Sequence, residues 1–246
     1  MEARSVWLPK RGHSLDEYED AGAADPALGR FAIADGATES SFAGPWARLL
    51  ADGFVSAAGP QPGRWSDWLP ALQQRWLEQF RDKELAWYAE AKLEDGAFAT
   101  FLGLTLCAPT GFFMERRKWH AVAVGDGCLF QVRDNELYRP FPIERAEDFG
   151  NTPWLIGSRN DSSKSLRQKE LRAKGDWRTG DCFWLMTDAL AQWFLTDIEA
   201  CGTPWTKLEA VLGSDDSQER FADWVEDQRD RQALKNDDVT LIVVNV

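Results

Sequence analysis

The stretch Phe31-Ala32-Ile33-Ala34-Asp35-Gly36 decides how this chain is read. Four apolar residues make a run too short for a helix and suited to a buried strand, and the run stops on an acid followed by glycine. The same design recurs. His120-Ala121-Val122-Ala123-Val124 ends in Gly125-Asp126, Phe183-Trp184-Leu185-Met186-Thr187 ends in Asp188, and Asn236-Asp237-Asp238 stands directly before the closing run VTLIVVNV at 239–246. Taken singly, each Asp reads most simply as a turn or cap residue, and Asp35-Gly36 is an ordinary turn dipeptide. The repetition carries more. Strand ends in one sandwich can lie side by side, so these carboxylates can converge, and Glu19-Asp20 in the polar loop upstream can join them.

Converging carboxylates repel one another, and burial raises their pKa values unless a cation offsets the charge. A set made only of Asp, Glu and a backbone carbonyl suits Mg²⁺ or Mn²⁺ rather than zinc. Gly36 has no side chain, so its carbonyl can approach an ion closely. Two such ions about 3.5–4 Å apart can bridge and acidify a water and clamp phosphoryl oxygens during in-line attack.

Outward from these motifs, strands are expected near 5–8, 31–34, 100–107, 118–124, 128–133, 137–139, 166–173, 182–187 and 239–246. One helix is expected over 45–57. A second is expected to start at Ser66-Asp67 as N-cap and run to about 93, because Trp68, Leu72, Trp76 and Phe80 recur at helical spacing. Two more cover 189–199 and 217–233, the last amphipathic around Trp224. Residues 141–166 show no periodicity and read as a functional flap or a disordered stretch. Strands in two blocks and helices in two blocks predict an α+β fold. The natural arrangement is a four-layer αββα sandwich: two mainly antiparallel sheets face to face, flanked by helices. With no linker or repeat, residues 1–246 read as a single domain.

Composition narrows the function. Apolar residues are 44% of the 246, enough for a sizeable core without disulfides. Most of the 13 Trp are expected in that core. The formal charge of −12 argues against nucleic-acid binding. Cys107, Cys128, Cys182 and Cys201 form no CxxC pair, and three lie in apolar runs, which suggests buried free thiols in a reducing compartment. Two His, His13 and His120, exclude a multi-His zinc site and leave little for a Ser-His-Asp hydrolase. No signal peptide and no membrane span are evident, so a cytoplasmic protein is expected. There is no GxSxG elbow, P-loop, HExxH or GxGxxG, and Ser40-Ser41 read as helix-entry residues rather than nucleophiles. The basic run Glu115-Arg116-Arg117-Lys118 reads as a solvated hairpin end.

At these residues the chain resembles the metal-dependent type 2C serine/threonine protein phosphatases, the PPM family. Glu19-Asp20-Ala21 resembles its early Glu-Asp-Ala element, and 31–36 its Asp-Gly motif. Val124-Gly125-Asp126 resembles Gly-Asp-Ser. Thr179-Gly180-Asp181 followed by 185–188 resembles the strand ending in a second Asp-Gly, and Asn236-Asp237-Asp238-Val239-Thr240 the terminal Asp-Asn-Ile-Thr. Five motifs in family order cover nearly the whole chain.

The resemblance implies an αββα sandwich with a dimetal centre, two Mg²⁺ or Mn²⁺ ions, at one end of the sheets. It implies Asp35 on both ions, Asp188 and Asp237 on one, and Glu19 with the Gly36 carbonyl on the other. Asp126 with Asp188 would serve a weaker third ion found in many members, and Asp20 would hold metal-bound water. The catalytic set is then Asp35, Asp188 and Asp237. The stretch near 141–166 would match the family's variable flap. The implied partner is a phosphorylated protein, the product of a Ser/Thr kinase in a bacterial signalling pathway, and a monomer is expected.

Several positions depart from the family. Leu15 stands where an Arg usually binds substrate phosphate; Lys10, Arg11 and His13 are the nearby substitutes. Ala37-Thr38-Glu39-Ser40 replaces the glycines after the first Asp-Gly, and Ala37 removes the His that eukaryotic members often carry there. The second Asp-Gly is Asp188-Ala189, and Gly127 follows Asp126 in place of Ser. No core metal carboxylate is lost. Two readings remain: an active dimetal phosphatase, or a pseudophosphatase that keeps the fold and binds a partner or phosphopeptide.

Overall fold

A computed structural model describes residues 1–37, 42–57, 59–60, 62, 64–83, 87–107, 117–150, 152–159, 166, 168–213 and 216–246; of Ala57 and Tyr88 only the backbone is described. Thr38, Glu39, Ser40 and Ser41 lie outside these residues, as do Glu115 and Arg116.

Twelve strands occur among the described residues: β1 (Glu2–Leu8), β2 (Ala21–Asp25), β3 (Arg30–Ala34), β4 (Phe98–Ala99), β5 (Phe101–Cys107), β6 (Lys118–Val124), β7 (Cys128–Arg133), β8 (Glu136–Phe141), β9 (Ile156–Gly157), β10 (Leu171–Asp176), β11 (Cys182–Met186) and β12 (Val239–Asn245). The helices are α1 (Ala43–Ala57), α2 (Trp65–Glu78), α3 (Trp87–Asp95), α4 (Asp188–Glu199), α5 (Pro204–Leu212) and α6 (Ser217–Asp230). One five-stranded sheet has the order β1-β12-β11-β7-β8, the other β10-β6-β5-β3-β2, and β4 pairs with β9. Every pairing is antiparallel.

The apolar runs are continuous because these strands are buried on both faces. In β3, Phe31 and Ile33 point between the sheets, where they meet Leu102, Trp119, Phe183, Leu185 and Ile242. Ala32 and Ala34 point the other way, into the layer formed with α1 and α2 around Trp46, Trp65 and Trp76. The small alanines let the bulky Trp46 approach the sheet. In β11 and β12 the alternation repeats: Phe183, Leu185, Ile242 and Val244 face the other sheet, while Trp184, Met186, Leu241 and Val243 pack with α4, α5 and α6. Three apolar layers between four structural layers make the αββα sandwich. Five Trp (46, 65, 76, 119, 184) are fully buried, and Trp87 and Trp154 are exposed.

Four local expectations are corrected. The helix expected over 66–93 is two helices. After Glu78 the backbone tightens into i→i−3 bonds, such as Phe80 N–H to Leu77 O at 3.2 Å, and Phe80 turns inward against Trp76 and Phe42. Ser66 and Asp67 lie inside α2, because Trp65 already belongs to it and is buried. The strand expected from 166 starts at Leu171; Leu166 is in a helical turn, accepting from Glu170 N–H at 2.8 Å. The polar loop upstream of Phe31 contains strand β2, and α5 follows α4 unannounced by any apolar run.

Within 141–166 the described chain is mostly irregular but tethered. Trp46 Nε1–H donates to Ile156 O at 2.8 Å, and Gln73 Nε2–H donates to Gly157 O at 3.1 Å and Arg159 O at 2.8 Å. All four cysteines are free. Cys128 and Cys182 are buried as expected, Cys107 only half-buried, and Cys201 exposed.

Candidate metal centre

Antiparallel pairing places the acidic strand ends together. β2 opposes β3 with Ala21 across from Ala34, so Glu19-Asp20, just before β2, lies beside Asp35, just after β3. β11 opposes β12 with Met186 across from Leu241, so Asp188 and Asp237 share one end of the other sheet. Thr100, preceding β5, receives Asp35 N–H on Oγ1 at 3.3 Å and donates its own N–H to Asp35 O at 2.8 Å, which holds the strand end in place. Gly125 brings Asp126 in through a φ of +99°, and a Cβ there would meet Thr100 Cβ at 2.6 Å.

The two sheets are tied at this end by side chains. Thr240 Oγ1–H donates to Asp20 Oδ2 at 2.8 Å, Tyr18 shares a hydrogen bond with the same hydroxyl, and Thr240 N–H donates to Thr187 Oγ1 at 2.9 Å. Asp238 accepts Lys10 N–H on Oδ1 and Glu19 N–H on Oδ2, both at 2.7 Å. The Asp237 carboxylate acts on Asp35 and Asp188, while that of Asp238 clamps the N-terminal loop and acts on Asp20.

The acidic group is electrostatically one unit. Burial, followed by the Asp20, Asp188, Asp126 and Asp237 carboxylates, pushes the Asp35 carboxyl well above its usual range. Burial and Asp238 do the same to Asp20, against the Thr240 and Thr187 hydroxyls. Burial and Asp188 raise Asp126 to about 7. Asp188 is raised by burial, with Lys235 opposing and Asp237 adding to the rise. One ammonium lies among them: Lys235 Nζ is 2.8 Å from Asp237 Oδ2 and 3.5 Å from Asp188 Oδ2.

The chemistry of these residues suits a hard divalent cation. Asp20 Oδ1 and Asp126 Oδ1 are buried without a hydrogen-bond partner among the described residues, a costly state that a cation relieves. The donors are oxygens throughout. Gly36 is cramped: a Cβ would meet Glu19 O at 2.7 Å and Ala43 Cβ at 2.9 Å, so its backbone sits directly against that of Glu19. No three His, Cys, Asp or Glu side chains among the described residues already stand in ligand geometry around one point. The structure thus groups Asp20, Asp35, Asp126, Asp188 and Asp237, and brings Glu19 and Gly36 in through their backbones.

Sequence reasoning missed Asp238, Thr240 and Lys235 as site residues. The signal for Asp238 was its place beside Asp237; the family motif singles out Asp237, and local pattern does not separate the two adjacent acids. Leu15 is exposed, and nearby Arg11 is engaged by Glu226 and Asp230.

The family model for Protein phosphatase 2C matches residues 17–234, most of the chain. The chain belongs to the protein phosphatase 2C family. This is a family of protein phosphatases and hence of hydrolases. Comparison with curated proteins gives no match. Among solved structures, the serine/threonine phosphatase PstP/Ppp of Mycobacterium tuberculosis is 16% identical, with TM-score 0.58, over 99% of this chain and 98% of that chain. Stp1 of Staphylococcus aureus is 15% identical, with TM-score 0.58, over 100% of this chain and 94% of that chain. The catalytic domain of PstP, solved in complex with two manganese ions, is 16% identical, with TM-score 0.56, over 99% of this chain and 97% of that chain. At such identities the likeness is one of fold. No helix among the described residues is long and apolar enough to cross a membrane.

Proposed function

We propose that this type 2C family member is a Mg²⁺- or Mn²⁺-dependent phosphatase that hydrolyses phosphoserine and phosphothreonine in proteins. The observation that carries this is the action of four other carboxylates on buried Asp35, with unpaired buried oxygens on two of them, Asp20 and Asp126. A solved relative, the PstP catalytic domain, holds two manganese ions. By motif, Asp35 would contact both ions, Asp188 and Asp237 one, and Glu19 with the Gly36 carbonyl the other. Asp126 with Asp188 would serve a third, and Asp20 would accept from water in the outer shell. Bound divalent ions supply positive charge for the phosphoryl oxygens and lower the pKa of a water between them.

This chain's own residues do the positioning. Thr100 fixes the Asp35 backbone, Thr240 orients the Asp20 carboxylate, and Asp238 holds the Glu19 backbone against Gly36. As the family resemblance implies, water would attack phosphorus directly, with no phosphoenzyme. The reading extends to one domain over 1–246, acting as a cytoplasmic monomer on phosphoproteins.

A second reading is supported by one observation. With Leu15 in place of the phosphate-binding Arg and Arg11 held in ion pairs, a phosphopeptide could be bound without efficient turnover. Mn²⁺-dependent hydrolysis of p-nitrophenyl phosphate, with EDTA and Asp35→Asn controls, separates the two. Turnover abolished by both controls supports the phosphatase. A protein that binds Mn²⁺ by calorimetry yet turns nothing over supports the binding module.

A further inference from the structure

Lys235 stands between two acids that the family motifs place on one ion. Its ammonium is 2.8 Å from Asp237 Oδ2 and 3.5 Å from Asp188 Oδ2. Asp188 faces the same ammonium across the gap between α4 and the loop before β12. The backbone on either side of Lys235 is anchored. Leu234 is buried, and its N–H donates to Gln228 O at 3.3 Å. Asp237 N–H donates to Lys235 O at 3.0 Å, and the buried Arg229 donates from Nη2 to Asp237 O at 2.5 Å. The Lys235 side chain, by contrast, is 54% exposed. The loop backbone is held, and the side chain that carries the ammonium is open to water on one side.

A hard divalent ion binds carboxylate oxygens at about 2.0–2.1 Å for Mg²⁺. An ammonium and such an ion cannot share the same two oxygens in one gap. We propose that Lys235 is a tethered cation that competes with a divalent ion for the Asp188–Asp237 pair, so that loading this position requires the ammonium to leave. The inference rests on the dimetal reading above and adds to it a residue that sets how tightly one ion is held. The charged groups facing Lys235 are Asp188, Asp237 and Asp126, all acidic, so nothing else on these elements draws the ammonium away until an ion takes its place.

The test is Mn²⁺ titration by calorimetry on the full chain and on Lys235→Met, together with thermal melts of both in EDTA, each repeated in an Asp188→Asn background. A partly exposed ion pair is worth less than about 1 kcal/mol, so Lys235→Met is expected to bind Mn²⁺ about threefold to fivefold more tightly. In EDTA the same substitution is expected to lower the melting temperature, and the drop should shrink once Asp188 is Asn. Equal Mn²⁺ affinity in wild type and Lys235→Met overturns the competition while leaving the dimetal reading standing. So does an EDTA melting effect that is unchanged by Asp188→Asn, since a lysine acting only through the general field would behave that way. Failure of both proteins to bind Mn²⁺ removes the dimetal reading and the competition with it.

Discussion

Asp238 Oδ2 accepts the backbone N–H of Glu19 at 2.7 Å, while its other oxygen accepts the N–H of Lys10 at the same distance. One carboxylate at the start of the last strand thereby sets the path of the N-terminal loop that carries Glu19 and Asp20. Removing it orphans two N–H groups that are partly buried. Asp238→Ala is expected to cost about 1–3 kcal/mol of stability by denaturant unfolding and to weaken Mn²⁺ binding. Unchanged affinity would show that the Glu19 backbone holds its place without the clamp.

Gly36 has no room for a methyl group. The nearest atoms to a Cβ, Glu19 O at 2.7 Å and Ala43 Cβ at 2.9 Å, belong to a backbone and a short rigid side chain. Gly36→Ala is expected to lose about 1–3 kcal/mol by overpacking and to push Glu19 out of register with Asp35, lowering Mn²⁺ affinity. A variant as stable and as tightly metal-binding as wild type would contradict the close approach.

Asp181 sits at the far end of β11 from Asp188. Its side chain is fully buried, with Arg133 Nη2 at 2.7 Å, Gln131 Nε2 at 2.8 Å and Arg178 N–H at 3.1 Å all donating to Oδ2. Burial works to raise its pKa, but these donors outweigh it and hold the carboxyl below its usual range. Asp181→Ala would leave the Arg133 guanidinium poorly compensated and is expected to cost about 3 kcal/mol, the lower end for a broken buried pair. Mn²⁺ affinity of the folded variant should not change. A large loss of affinity would mean that the two ends of β11 are coupled.

The acidic group also sets a pH dependence. Asp20, Asp35, Asp126 and Asp188 are raised, Asp126 to about 7. A carboxyl raised in the folded state keeps its proton where the unfolded chain has lost it. The stability it contributes is fully present below the unfolded value of about 4 and is lost as pH rises through the folded value. In EDTA the melting temperature should therefore fall between about pH 5 and 8, and saturating Mn²⁺ should flatten that fall. A melting temperature that climbs over this interval without metal would refute the mutual repulsion.

Much of the sandwich was legible because its strands are buried on both faces. The run 128–133 was bounded correctly, its first five residues all being buried, and so was 118–124, whose last four residues are buried while Lys118 and His120 stay exposed. β2 was not legible. Its sequence, Ala-Gly-Ala-Ala-Asp, has no branched or aromatic residue, and it becomes a strand only by pairing with β3 at the sheet edge. The break after Glu78 was hidden for a related reason: Phe80 continues the helical spacing, yet its burial against Trp76 and Phe42 is satisfied by a tight turn.

What the sequence determined by itself was which residues end strands, and that these residues are acids. Local pattern decides that, because an apolar run and its terminating Asp lie within a few positions of one another. Which of those acids face each other follows from how the two sheets pack. Asp237 and Asp238 are equivalent as a dipeptide, yet the carboxylate of one acts on Asp35 and Asp188 and that of the other holds Glu19. Their roles depend on antiparallel pairing between segments at opposite ends of the chain, and that pairing is fixed by packing of the two sheets rather than by any local preference.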